Sequence, residues 1–197
     1  METEIKSKIN PILKIILTEI LDEITRSTAS QCCSIRLEEN GDYPFYINRG
    51  YPEFFIKEDN SILSVEKKSY KELVCMCGNI IKGRININFP FFTKYGSFWT
   101  NNLTNLLAKL SKEQKEFIGP LRSICTQSGY ESLAIIPLKS GKKNLGLIHL
   151  SDPLENYFDK KMVLKIENLS KDFSEIINYS YKIIKKLSII NKKRKIK

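Results

Sequence analysis

Apolar residues recur at helical spacing over the first stretch of the chain, at Ile5, Ile9, Ile12, Leu13, Ile16, Ile20 and Ile24. Pro11 cuts into this pattern, so the helix is expected from about that residue onward, and the small polar run from Thr25 to Ser30 ends it. Cys33-Ser34-Ile35-Arg36-Leu37 alternates apolar and polar side chains, as a strand does. Glu38 to Asp42 holds the turn pair Asn40-Gly41, and Tyr43 to Arg49 reads as the second strand of an antiparallel hairpin. Gly50-Tyr51-Pro52 breaks the pattern, and the polar run from Glu53 to Lys71 has room for a short helix. Val74 to Ile81 is an apolar run that fits either a strand or a helix start.

Asn86 to Asn102 is rich in Phe, Gly, Asn and Pro and is read as a loop. So many aromatic side chains are expected to fold over something apolar, as a pocket lid or as a cover for the core edge. Leu103 to Leu110 has helical spacing. A second helix restarts at Ser111, with Gln114 at the capping-box position, and Gly119-Pro120 interrupts it. Leu133 to Leu138 and Leu145 to Leu150 are two further strands, joined by the polar, Gly-containing run Lys139 to Asn144. The last helix carries Met162, Ile166, Leu169, Phe173, Ile176, Ser180, Ile183 and Leu187, alternating steps of four and three. That is a heptad seam. It is expected to serve a homodimer contact through the two terminal helices, against the alternative of packing between those helices within one chain. Antiparallel strands with intervening and flanking helices make an α+β protein. The expected organisation is an N-terminal helix over 1–28, a central domain over 29–158, a heptad helix over 159–190 and a basic tail over 191–197.

Charge sharpens this picture at one end only. The chain has 32 Lys and Arg against 22 Asp and Glu, a net of +10. Eight of the basic residues, and no acid, lie between Lys182 and Lys197. The body is thus close to neutral, and contact with nucleic acid or anionic membrane is confined to a weak one through the tail. A hydrophobic content of 42% supports a real core in a chain of 197 residues. No apolar run reaches the length of a membrane span, and the opening Met1-Glu2-Thr3-Glu4 has no secretory pattern, so a cytoplasmic location is expected.

The candidate chemistry lies with cysteine. Cys75 and Cys77 fall in Val74-Cys75-Met76-Cys77-Gly78, and Cys125 lies shortly before the Leu133 strand. Thiols in this setting are expected to be reduced. They read as redox-active, metal-binding or simply buried. Arg122, one helical turn before Cys125, is a cation that could favour a thiolate there. Cys75, Cys77, Cys125 and His149 together would make a Cys₃His metal set. There is no Cys-x-x-Cys-His for covalent haem attachment, and the lone His149 in an apolar strand, sharing a face with Leu145 and Leu147, equally fits a packed residue. Cys32 and Cys33 open the first strand, with one of them expected to face the core.

From Cys125 to Asp152 the chain resembles a GAF domain, in the strand ending Ile136-Pro137-Leu138, the Gly-containing turn, the strand Leu145-Gly146-Leu147-Ile148-His149-Leu150, and Phe158 before a long helix. Asp42 to Tyr46, Arg49 to Pro52, Cys77-Gly78 and Pro90 to Thr100 agree in order, and the whole is similar to GAF domains attached to microbial sensory histidine kinases. The resemblance implies an antiparallel sheet with helices on one face and pocket-covering loops on the other. It implies a sensory or regulatory module for a small ligand or for redox state, with a signalling protein as a further partner. Its cofactor is left open among haem, a metal and a small metabolite. Cys75, Cys77, Cys125, Phe98, Trp99, Tyr130 and Glu131 would lie at its pocket. More distantly the chain resembles free methionine-(R)-sulfoxide reductases, which implies an alternative with Cys125 as nucleophile and Cys77 or Cys75 as resolving thiol. Here Thr126 follows Cys125, where that family has Asp.

Overall fold

The computed structural model describes residues 10–64 and 72–194. Ile5 and Ile9 of the first helical pattern, Lys71, and the last basic residues Lys195 and Lys197 lie outside the described residues. The first helix, α1 (Pro11–Thr28), starts where proline allows: Pro11 occupies the first turn, and the Asn10 side chain accepts from the Ile12 N–H. Its inward stripe is Leu13, Leu17, Ile20, Leu21 and Ile24. Strands β1 (Cys32–Leu37) and β2 (Phe45–Arg49) form the expected antiparallel hairpin.

A short helix α2 (Glu53–Glu58) follows. The ambiguous Cys-x-Cys run is a helix, α3 (Cys75–Lys82), closed by Gly83 in the left-handed conformation. The aromatic segment is less of a loop than its composition implies. Phe98–Thr100 forms a short edge strand, β3, paired with Leu133–Ile135. Helices α4 (Leu103–Lys109) and α5 (Lys112–Ile118) come next, and α5 opens on the full Ser111/Gln114 capping box. After the four-residue α6 (Ile124–Gln127), strands β4 (Ser132–Ser140) and β5 (Lys143–Asp152) lead into the 35-residue helix α7 (Lys160–Arg194).

The five strands make one sheet in the order β2-β1-β5-β4-β3, every pair antiparallel. Both faces are covered. Cys33, Ile35, Leu37, Ala134, Ile136, Leu138, Ile148 and Leu150 point to the layer made by α1 and α7. Cys32, Leu133, Ile135 and Leu147 point the other way, to a layer of helices α2–α5 and the aromatic segment. The expectation of helices on one face and covering loops on the other holds, with short helices built into the cover. Both faces claim a cysteine, Cys33 on one and Cys32 on the other.

The heptad seam does not form one continuous outward face. Ile166, Phe173 and Ser180 are buried within their own chain, Met162 and Leu169 are half-buried, and Ile176, Ile183 and Leu187 are exposed. A straight helix drifts about 20° per heptad from a strict seven-residue repeat. One column therefore stays on the sheet and α1, while the other rotates outward. Helix α7 also runs through Arg194, so the first residues of the expected basic tail are helical. Among the described residues no helix is long and apolar enough to cross a membrane.

Candidate functional site

The layer opposite α1 and α7 contains a cavity of about 50 Å³, enough for small groups. Its floor is Leu133 and Ile135 of β4 with Phe98 of β3. Its walls are Cys75, Met76 and Cys77 of α3, Leu103, Leu106 and Leu107 of α4, and Ile118. The remaining side is the run from Leu121 to Thr126, and Asp59 closes one end. Two wall residues sit in the left-handed backbone region, Cys75 at φ 67° and Ser123 at φ 58°. Neither is glycine, so this is a conformation that the surroundings must enforce. The Cys75 N–H is tied to the Pro120 carbonyl at 3.0 Å, which links the start of α3 to the turn before α6.

Three of the candidate cysteines, Cys75, Cys77 and Cys125, therefore meet at one cavity, with Phe98 on its floor. None is activated. Burial is the largest influence on each thiol, and it raises all three above the ordinary range; the nearby Asp59 carboxylate adds to the rise. Arg122 does not serve Cys125 as expected. Its guanidinium turns to the Ser61 and Glu58 carbonyls and lies 3.6 Å from an Asp59 oxygen.

The other candidates lie elsewhere. Trp99 is half-buried on the opposite side of β3, packed toward the α7 layer. Tyr130 is buried, with its hydroxyl 3.2 Å from Cys32 Sγ and its ring edge-on to Tyr51 and Phe55. Glu131 caps the start of α4, accepting from the Thr104 N–H at 3.0 Å and the Thr104 hydroxyl at 2.6 Å. Phe91 and Phe92 are core residues packed against each other and Phe98.

The Cys₃His set is not assembled. Among the described residues no group of three or more His, Cys, Asp or Glu is placed to hold a metal ion. His149 lies under Tyr51 and Phe55, with ring centroids 5.7 and 6.3 Å away. It shares a face with Leu147 but not with Leu145, because the ladder is irregular beside Leu138 and Lys139 and Leu145 turns to the α1/α7 layer. Burial, reinforced by Arg36, pushes its pKa down to about 3, so the ring is neutral.

The charged group beside the cavity was not anticipated from sequence. Arg36 is fully buried in β1. It donates to the Tyr43 and Asn60 carbonyls at 3.0 and 2.9 Å, to the Asp59 carbonyl at 2.5 Å, and to the Asp59 carboxylate. Its guanidinium carbon stands 3.5 Å from the centre of the Phe45 ring. Burial raises the Asp59 pKa, against the opposing pull of Arg36 and Arg122. Strand alternation gave Ser34 and Arg36 a polar face; the signal missing from the sequence is that this face is covered too.

No protein-family model matches this chain, and no curated protein matches it. Solved structures do. A domain of a protein described as a two-component sensor histidine kinase, from Sinorhizobium meliloti, aligns with a TM-score of 0.58 at 14% identity, over 90% of this chain and 99% of that one. The GAF domain region of a membrane protein from Geobacter sulfurreducens aligns with a TM-score of 0.56 at 15% identity, over 85% and 94%. A type II free methionine-R-sulfoxide reductase from Thermoplasma acidophilum aligns with a TM-score of 0.52 at 10% identity, over 85% and 96%. The chain has the GAF fold, and identities this low speak to the fold alone.

Proposed function

We propose that this chain is a small-molecule sensing module of the GAF type, with the cavity under α3–α6 as its sensing site. The observation that carries the reading is the cavity itself: a mostly apolar space with Asp59 and Arg122 among its lining residues, and with two strained backbone positions in its wall. Its cover is slight, since α6 is four residues long and none of them is fully buried. A ligand that needs more room than the cavity offers would be admitted by moving that cover.

The output is read from the opposite face. Strand β4 belongs to both layers, with Leu133 and Ile135 under the cavity and Ala134, Ile136 and Leu138 against α1 and α7. A change in cavity filling would reach the long helices through this strand. Ile176, Tyr179, Ile183, Leu187 and Ile190 are exposed on α7 at steps of three and four, and Ile12 and Ile15 are exposed on α1. We assign this stripe to a homodimer contact, with the module working in a cytoplasmic signalling setting. Redox sensing at the cavity is the second reading, favoured by the convergence of Cys75, Cys77 and Cys125. Its test is a Cys125→Ser variant, which should abolish any response to peroxide.

Hydrogen–deuterium exchange on the full chain tests the first reading. Isovalerate, isovaleramide, benzoate and benzamide would each be added at about 10 mM, above the millimolar dissociation constants of weak fragments. At least one should slow exchange in α3–α6 and also change it in α7. No change with any of them, or a change that never reaches α7, would overturn the sensing account.

A further inference from the structure

We infer that the cleft between α7 and the aromatic segment is a second binding site, for a free amino acid with an apolar side chain. Glu167 takes the ammonium group of that ligand, Lys94 and Lys160 its carboxylate, and Phe92, Trp99 and Leu164 its side chain. The site lies against α7 rather than under α3–α6, and it does not depend on the sensing reading above.

The cleft has a volume of about 540 Å³, against about 50 Å³ for the cavity under α3–α6. Small-molecule sites commonly measure about 300–1,000 Å³. One wall is a single face of α7, with Lys160, Leu164 and Glu167 at steps of four and three. The other is made by Phe92, Thr93 and Trp99. Trp99 is half-buried here, on the side of β3 that the first cavity leaves unused.

Glu167 is a carboxylate with room for one more partner. It is only 6% exposed. The Thr93 hydroxyl donates to Oε1 at 2.5 Å, and that hydroxyl is itself held by the Ser97 N–H at 3.0 Å. Oε2 has no hydrogen-bond partner among the described residues, and it is not sealed from solvent. The neighbouring lysines are engaged elsewhere. Lys171, one turn further along α7, donates to Asn168 Oδ1 at 3.0 Å and stands over the Tyr95 ring. Lys139 donates to the Tyr95 carbonyl at 2.6 Å. A carboxylate held largely out of water without a cation is costly, and a ligand ammonium supplies both the charge and the N–H donors.

Both signs of charge line the cleft. Lys94 and Lys160 are exposed at its rim. Lys160 stands two turns, about 10 Å, before Glu167 on the same helix face. A ligand with an ammonium alone would meet these lysines as like charges, and one with a carboxylate alone would meet Glu167. A zwitterion offers each of them its opposite. Between the charges the lining is Pro90, Phe92, Trp99, Val163 and Leu164, which suits an apolar side chain. A ligand held there touches α7 directly, upstream of its exposed stripe.

Trp99 is the only tryptophan in the chain, so its fluorescence reports on this cleft. The full-length chain would be titrated to about 10 mM with phenylalanine, phenethylamine and 3-phenylpropionate, and with leucine, isoamylamine and 4-methylpentanoate. Each trio keeps one apolar body and removes one charge in turn. In at least one trio the amino acid should change the Trp99 emission and bind about tenfold or more tightly than both analogues. Glu167→Gln keeps an acceptor for Thr93 and removes the charge, so it should bring the amino acid down to the affinity of its acid analogue. Because Glu167 is buried, Lys160→Gln provides a second variant at an exposed position. Its stability should be unchanged while the preference over the amine falls severalfold. No response to either amino acid would overturn the site. Analogues that match their amino acids in both trios would overturn the ligand assignment. An undiminished preference in either variant would overturn the roles given to these charges.

Discussion

His149 should make this fold acid-labile in a way that one substitution removes. The imidazole is fully buried beneath Tyr51 and Phe55, and its Nδ1 has no partner. Burial first, and the positive Arg36 second, lower its pKa from 6.5 to about 3. A lowered folded-state pKa means that the unfolded chain takes up the proton first. The stabilising contribution is therefore complete above pH 6.5 and is lost as the pH falls toward 3. Between about pH 7.5 and about pH 5 this amounts to roughly 2 kcal/mol, and by pH 3 to about 4 kcal/mol. The lower figure is a large share of the about 5–15 kcal/mol that holds a typical domain folded. Urea unfolding of the full chain at the two higher pH values gives the loss directly. The control is His149→Phe, which fills similar space among aromatic neighbours and cannot titrate. Its stability should fall between the two pH values by about 2 kcal/mol less than that of the unsubstituted chain. Parallel pH profiles for the two proteins would refute the reasoning, because they would mean that His149 is not held neutral by its surroundings.

Other consequences are equally direct. In Gly146→Ala the new Cβ would land on the Arg36 carbonyl oxygen, within the β1–β5 ladder, so chemical denaturation should show a loss of about 3 kcal/mol. All five thiols are raised by burial, so iodoacetamide labelling of the folded protein should be slow at neutral pH and still climbing above pH 9; a fast-reacting cysteine near pH 7 would instead favour reductase-type chemistry. Ile183→Asp with Leu187→Asp alters exposed positions of α7, so stability should change by no more than about 1 kcal/mol, while sedimentation at micromolar concentration should shift from dimer to monomer.

How far the sequence reaches differs from feature to feature. The hairpin Cys33–Arg49, the β4–β5 pair and the Ser111/Gln114 cap are written in local patterns of alternation, turn residues and capping chemistry, and these are local in the structure too. The meeting of Cys75, Cys77 and Cys125 came from the family resemblance, since nothing in their spacing places the start of α3 beside α6. Arg36 shows where alternation misleads. A polar residue between Ile35 and Leu37 reads as solvent-facing only if one face of the sheet is open, and here both faces are covered. Asp59 sits in a segment without periodicity, and its role depends on a partner 23 residues earlier in the chain. The α7 seam was correct as a repeat and incomplete as a surface. Ile166 and Phe173 are claimed by the sheet and α1, whereas Ile176 and Ile183 are not, and only the tertiary packing decides that division.

The measurement that bears most directly on the central claim is methyl-detected NMR of the full chain titrated with isovalerate and isovaleramide, compared with Leu107→Trp. Leu107 is a half-buried wall residue of the cavity, and tryptophan there would fill the space from its edge. The account predicts shifts centred on the Leu103, Leu133 and Ile135 methyl groups in the unsubstituted protein, and their loss in Leu107→Trp. Shifts centred anywhere else, or shifts that survive the filled cavity, would contradict it.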